Sequence, residues 1–125
     1  FSEGTAKALH EQSGFLAAIS DTDNILHAFG AGRKTLLGHG VSDELTELMA
    51  ARRSHLASLA EGGRILPVVR DAESAYTAQL VVPIVANGDC LGAVILLSEE
   101  SGAVMEASCV KLARLTADII ASQFT

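Results

Sequence analysis

The sequence predicts an α+β domain. It has a five-stranded antiparallel sheet of strand order 2-1-5-4-3, terminal helices packed on one face and middle helices near the other. Three observations lead there. First, Leu80–Ser98 holds two runs rich in Val, Ile and Leu around Asn87-Gly88, a dipeptide suited to a two-residue type I′ turn because both central residues need φ > 0. Second, Phe15–Ile19 and Leu91–Leu97 are apolar almost without interruption, so both are covered on two faces and belong side by side in the middle of the sheet. Third, the chain reads as helix, two strands, two helices, three strands, helix. Five strands joined by short turns and one helical crossover form an antiparallel sheet with helices beside it.

Taken in order, residues 1–13 form a helix with a narrow stripe of Phe1, Thr5, Ala8, Leu9 and Gln12. So thin a stripe reads as a seam against another helix rather than a core face. After Gly14, Phe15–Ile19 is a strand, Ser20–Asn24 is dense in turn formers, and Ile25–Phe29 returns as a second strand. Gly30–Gly38 supplies one or two helical turns bracketed by glycines. Ser42 is an N-cap with Asp43 and Glu44 in the first turn, where the helix dipole favours acids. From there a helix is expected to about Ala60, with Leu45, Leu48, Met49, Leu56 and Leu59 on one face and Gly62-Gly63 as its stop.

Arg64–Arg70 reads as the third strand, Asp71–Ser74 as a loop, and Tyr76–Ala86 with Leu91–Ser98 as the hairpin. With Ala86 opposite Asp89, the register sets Ile84 against Leu91, Pro83 against Gly92, Val82 against Ala93 and Leu80 against Ile95. Pro83 then falls in a non-hydrogen-bonded pair, so its missing N–H faces the outer neighbour, whose ladder should fail at that level. The last helix runs from Ser101-Gly102 to about Gln123. Its apolar residues spread over about 160° at about 100° per residue. One sheet needs less, so a partner helix is expected on its other side.

The bulk numbers exclude several functions. A chain of 125 residues reads as one domain. Nine Lys and Arg against 15 Asp and Glu give a net charge of −6 without a basic stripe, which argues against direct binding of phosphate backbones. No apolar run approaches the roughly 20 residues of a membrane span. The chain opens at Phe1 without Met or a secretory signal, and so reads as a fragment of something longer. His10, His27, His39 and His55 share no ligand spacing with the cysteines, and neither a metal nor a cofactor is expected. Cys90 and Cys109 read as small apolar fillers in a reducing compartment. Gly30-Ala-Gly-Arg-Lys34 lacks the spacing and ending of a phosphate loop. Arg52 falls on the expected stripe of the middle helix, where a charge is costly unless paired. Either its stem lies on the core while the guanidinium reaches solvent or a carboxylate, or its planar fork reads a carboxylate or phosphate on a ligand.

Tyr76-Thr77, then Pro83-Ile-Val-Ala-Asn-Gly-Asp89, then Leu91-Gly-Ala-Val-Ile95 closely resembles the C-terminal GAF-like domains of the stage V sporulation protein T family. The likeness extends more loosely over the chain, including Val41-Ser42 and Arg52. It implies a ligand-sensing and dimerisation domain of a sporulation-phase transcription regulator, non-enzymatic and cytoplasmic. The small-molecule signal would be relayed to an N-terminal DNA-binding domain that this chain lacks. On that reading DNA is met only through the missing domain, 1–13 is a connecting helix, and the effector is an unknown small molecule. Such domains hold effectors between the sheet and its covering helices, which points to Arg33, Lys34, Arg52 and Tyr76 as ligand-binding residues. Flanking helices packed between subunits imply a homodimer, possibly a tetramer at full length, through Phe1, Thr5, Ala8, Leu9, Gln12, Leu112, Leu115 and Ile119. Cys90 stands where a proline is commoner, which leaves the turn intact. The rival readings are a ligandless structural dimerisation module and a small redox enzyme on the same fold.

Overall fold

Both continuous apolar runs become central strands, as burial on two faces requires. A computed structural model of the chain describes residues 3–72 and 75–125. Strands β1 (Leu16–Ser20), β2 (Ile25–Phe29), β3 (His55–Ser58), β4 (Ala78–Ala86) and β5 (Asp89–Ser98) form one sheet of order β2-β1-β5-β4-β3. All four pairings are antiparallel. Helices α1 (Glu3–Ser13) and α3 (Ala107–Ser122) pack on one face, and α2 (Asp43–Ala51) lies on the other. Phe1 and Ser74 lie outside the described residues.

The alternation along β1 shows how one strand serves two cores. Ala17 and Ile19 join Leu9, Leu80, Val94, Leu96, Ala113, Ala117 and Ile120 beneath the terminal helices. Leu16 and Ala18 join Ile25, Leu36, Leu45, Met49, Val81, Ile95 and Leu97 beneath α2. Strand neighbours on a pleated surface point to opposite faces, so nearly every residue of β1, β4 and β5 is buried.

Several expectations need correction. The middle helix stops at Ala51 rather than Ala60. Arg52 caps it in the left-handed region at φ 54, with its backbone N–H bonded to the Leu48 and Met49 carbonyls. The segment expected to extend the helix pairs instead with the open edge of β4, His55 opposite Val81 and Ser58 opposite Ala78. Leu56 and Leu59 are then more than half exposed. The third strand is therefore His55–Ser58, and Arg64–Arg70 is a strap outside the sheet: Val69 bridges to Val41, and Val68 and Arg70 bond the backbone of Ser42 and Gly40.

Within the hairpin, Ala86 pairs with Asp89 as expected and Val85 with Cys90, but Ile84 then pairs with Gly92. Leu91 is the extra residue of a bulge, which moves Pro83 opposite Ala93, Val82 opposite Val94 and Leu80 opposite Leu96. Gly92 makes room for a different neighbour from the one expected. A Cβ there would stand 1.9 Å from the carbonyl oxygen of Ser20, where β1 ends against β5. The ladder beside Pro83 does fail, because β3 pairs with β4 only as far as Val81.

The last helix begins at Ala107, several residues later than expected, after a turn at Gly102 (φ 78). Leu9 is 2% exposed within the chain's own core. It is therefore not available to a partner, and α1 packs on β1 and β2 as well as on α3.

Candidate functional site

The α2 layer gives the sheet its clefts because it is short. A nine-residue helix and a strap cannot cover five strands, and recesses remain at both ends. The strap is fixed by Gln79, a fully buried side chain on β4. Its Oε1 accepts from Leu66 N–H at 2.9 Å and its Nε2 donates to the Leu66 carbonyl at 2.8 Å. The amide thus substitutes for a strand neighbour and leaves neither backbone group of Leu66 unpaired, as burial demands.

The four residues singled out for ligand binding do not share one recess. Arg33 and Lys34 line a cleft of about 390 Å³ with Leu26, Phe29 and Leu37. There the Arg33 guanidinium stacks over the Phe29 ring, 5.7 Å from its centroid, a cation–π geometry. Tyr76 is buried and lines two clefts. One, of about 300 Å³, includes His10, Phe15, Glu99 and Glu100; the other, about 730 Å³, lies under the strap with Arg64, Ile65 and Pro67. Burial raises the Tyr76 phenol above its usual value. A hydrogen bond with the Thr35 side chain works against that shift, and the negative charge of Glu99 adds to it.

Arg52 lies at the hairpin end of the sheet. It lines a cleft of about 430 Å³ with Thr22, Thr46, Met49, Ala50, Asp89 and Cys90. Its position corrects the expectation that it sits within an apolar stripe. As the cap of α2 it points out of the core, and its guanidinium is held by two backbone carbonyls. Nε donates to Gly88 at 2.6 Å and Nη1 to Ala50 at 3.0 Å.

Asp89 and Cys90 were not anticipated here, although their place directly after the Asn87-Gly88 turn locates them at this end of the sheet. Across the turn, Asn87 Nδ2 donates to the Phe124 carbonyl at 3.3 Å. Among the described residues the buried side-chain polar atom without a partner is Ser20 Oγ, on the last residue of β1. No group of three His, Cys, Asp or Glu among them is placed to hold a metal ion.

A second surface lies on the opposite face. α3 packs on the sheet with Ala113, Ala117, Ile120 and Ala121. At about 100° per residue, Leu112, Leu115 and Ile119 fall within about 60° of one another and about 150° from that buried face. Leu115 is 57% and Ile119 50% exposed, and Leu112 is half-buried against the core. On α1, Ala8 and Gln12 are exposed and Thr5 half-buried.

Residues 1–125 match the family described as "Stage V sporulation protein T C-terminal, transcription factor". The chain belongs to that family. It is 33% identical over 100 residues to stage V sporulation protein T of Bacillus subtilis (strain 168), a match covering 80% of this chain and 54% of that protein. The chain thus spans about half the length of this curated relative.

Solved structures place the fold among GAF domains. The GAF domain of the nutrient sensor CodY from Clostridium difficile aligns with a TM-score of 0.69 at 15% identity, over 98% of this chain and 83% of that one. A methyl-accepting chemotaxis protein fragment aligns with a TM-score of 0.73 at 19% identity, over 98% and 85%. A type II free methionine-R-sulfoxide reductase from Thermoplasma acidophilum aligns with a TM-score of 0.72 at 10% identity, over 96% and 86%. At these identities the likeness is one of fold. Among the described residues no helix is long and apolar enough to cross a membrane.

Proposed function

We propose that this chain is the ligand-sensing and dimerisation domain of a sporulation-phase transcription regulator. It is cytoplasmic and non-enzymatic, and it relays a small-molecule signal through its helices to a DNA-binding domain preceding α1. The observation that supports this most directly is the division of labour across the sheet. One face carries a helix whose leucine and isoleucine stripe points away from the core, and the other carries clefts under a short helix and a strap. The outward stripe is an apolar surface of the kind buried against a second copy. Ala8, Gln12 and Thr5 on α1, with Leu112, Leu115 and Ile119 on α3, are its contact residues, and a tetramer is the corresponding option at full length. Arg33, Lys34, Arg52 and Tyr76 are ligand contacts in different recesses rather than one set. A ligand changes the helix arrangement only as far as its affinity differs between the two arrangements.

The redox rival is disfavoured by the sheet itself. Cys90 packs against the core under α2 and Cys109 against the core under the terminal helices, on opposite faces. A nucleophilic and a resolving thiol must meet, and the sheet stands between these two. The scaffold reading draws on the well-filled interior beneath α2, where Leu36, Leu45 and Ile95 are fully buried. Native mass spectrometry of protein purified from a sporulating bacterium separates the two. Sensing gives a stoichiometric adduct, and its absence from every preparation leaves the scaffold.

A further inference from the structure

We propose that the cleft at the hairpin end of the sheet, between the last turn of α2 and the start of β5, is a site for a small zwitterion. Such a ligand has a carboxylate and an ammonium group on a short carbon frame, as the α-amino acids have. The assignment rests on the sensing reading and gives it a ligand class.

The cleft, about 430 Å³, is lined by groups of opposite charge, Arg52 and Asp89, that do not pair with each other. The ion pairs among the described residues are Lys7–Glu11 and Arg70–Asp43. Arg52 is pre-positioned, because its Nε and Nη1 bonds to Gly88 and Ala50 fix the plane of the guanidinium. Of its five N–H groups two are engaged, and the others can meet a carboxylate in the paired geometry that suits this fork.

Arg52 also holds a left-handed backbone conformation (φ 54), where glycine is the unstrained choice. Asp89 supplies the acceptor for an ammonium group. Met49, 3% exposed, provides an apolar wall, and Ala50, Cys90, Thr22 and Thr46 complete the lining. A phosphate would be repelled by Asp89 and a simple amine by Arg52. A zwitterion satisfies both, and the volume lies toward the lower end of small-molecule sites.

The test is thermal unfolding of the chain with glycine, L-alanine, L-leucine or L-methionine, beside sodium acetate and ethylammonium chloride as single-charge controls. At least one amino acid should raise Tm by about 5 °C at tenfold excess over its Kd, and neither control should. Asp89→Asn and Arg52→Gly should each weaken binding about tenfold or more. Glycine at position 52 keeps the left-handed cap, and Arg52→Lys keeps the charge without the planar fork, so it should rescue only partly. No shift with any amino acid, or a shift undiminished in both Asp89→Asn and Arg52→Gly, overturns the assignment. Should Arg52→Gly unfold, Asp89→Asn alone decides, since Asp89 is exposed on the hairpin. A native adduct with no amino-acid shift overturns this site and leaves the sensing reading standing; no adduct and no shift overturns both.

Discussion

Replacing Leu115 and Ile119 together by aspartate should convert a dimer into a monomer without unfolding it. These side chains are 57% and 50% exposed in the single chain. Complete burial of a Leu or Ile side chain stabilises by about 2 kcal/mol, so covering the exposed half contributes about 1 kcal/mol each. In a two-fold pair the same patch is used twice, and four covered side chains come to about 4 kcal/mol. Losing that raises the dimer dissociation constant about a thousandfold, and the introduced carboxylates, facing each other across the axis, add to it. The chain's own core should be untouched, because Ala113, Ala117, Ile120 and Ala121 hold α3 to the sheet. Sedimentation equilibrium at micromolar concentration, with far-UV circular dichroism as the folding control, reads both. A double variant that sediments like the wild type, or a wild-type chain already monomeric there, would refute the reasoning.

Three further predictions concern the frame that positions the clefts. Gly92→Ala should destabilise the chain by about 4 kcal/mol or more, because the added Cβ meets the backbone of Ser20 and Asp21 rather than a movable side chain; urea unfolding at constant m-value measures it. Gln79→Leu should cost about 2–4 kcal/mol by leaving the Leu66 N–H and carbonyl unpaired, and should speed amide exchange across the strap. Tyr76 is the single tyrosine and the chain has no tryptophan, so absorbance at alkaline pH titrates it alone. Its folded pKa is raised, chiefly by burial, so the stability it confers is complete below its unfolded pKa and is lost as pH rises through the folded value. Tyr76→Phe should therefore flatten the alkaline fall in Tm above about pH 10, and an equal fall in the variant would count against it.

The strand order was legible because it follows from local features of unusual strength. Asn87-Gly88 set one hairpin, and two continuous apolar runs could only lie in the middle. The third strand was not legible in the same way. Leu56 and Leu59 continue the helical spacing of Leu45, Leu48 and Met49, with no glycine or proline between them. What ends the helix at Ala51 is the unpaired edge of β4, a tertiary demand that outweighs local periodicity. The strap at Arg64–Arg70 has strand composition apart from Pro67, yet its backbone partner is the Gln79 side chain, which no pattern announces.

For the candidate site, the sequence drew attention to Arg52 for a reason the structure replaces. The residue matters as a left-handed cap tied to Gly88, and its neighbours Asp89 and Cys90 come from 37 and 38 positions further on. The bulge at Leu91 carries no sequence signal, because one inserted residue changes no composition, only pairing.

The Asn87-Gly88 turn has a practical consequence. Exposed hairpin tips are the usual places to insert a tag, a fluorophore or a new chain end. This tip is gripped from both layers of the molecule. Arg52, at the end of α2, bonds Gly88, and Asn87 bonds Phe124 beyond the end of α3. Material inserted there would separate two helical layers that otherwise face each other only through a sheet. The exposed Glu47 in the middle of α2, which lines none of the clefts described, is the better place for a label meant to leave the protein's behaviour alone.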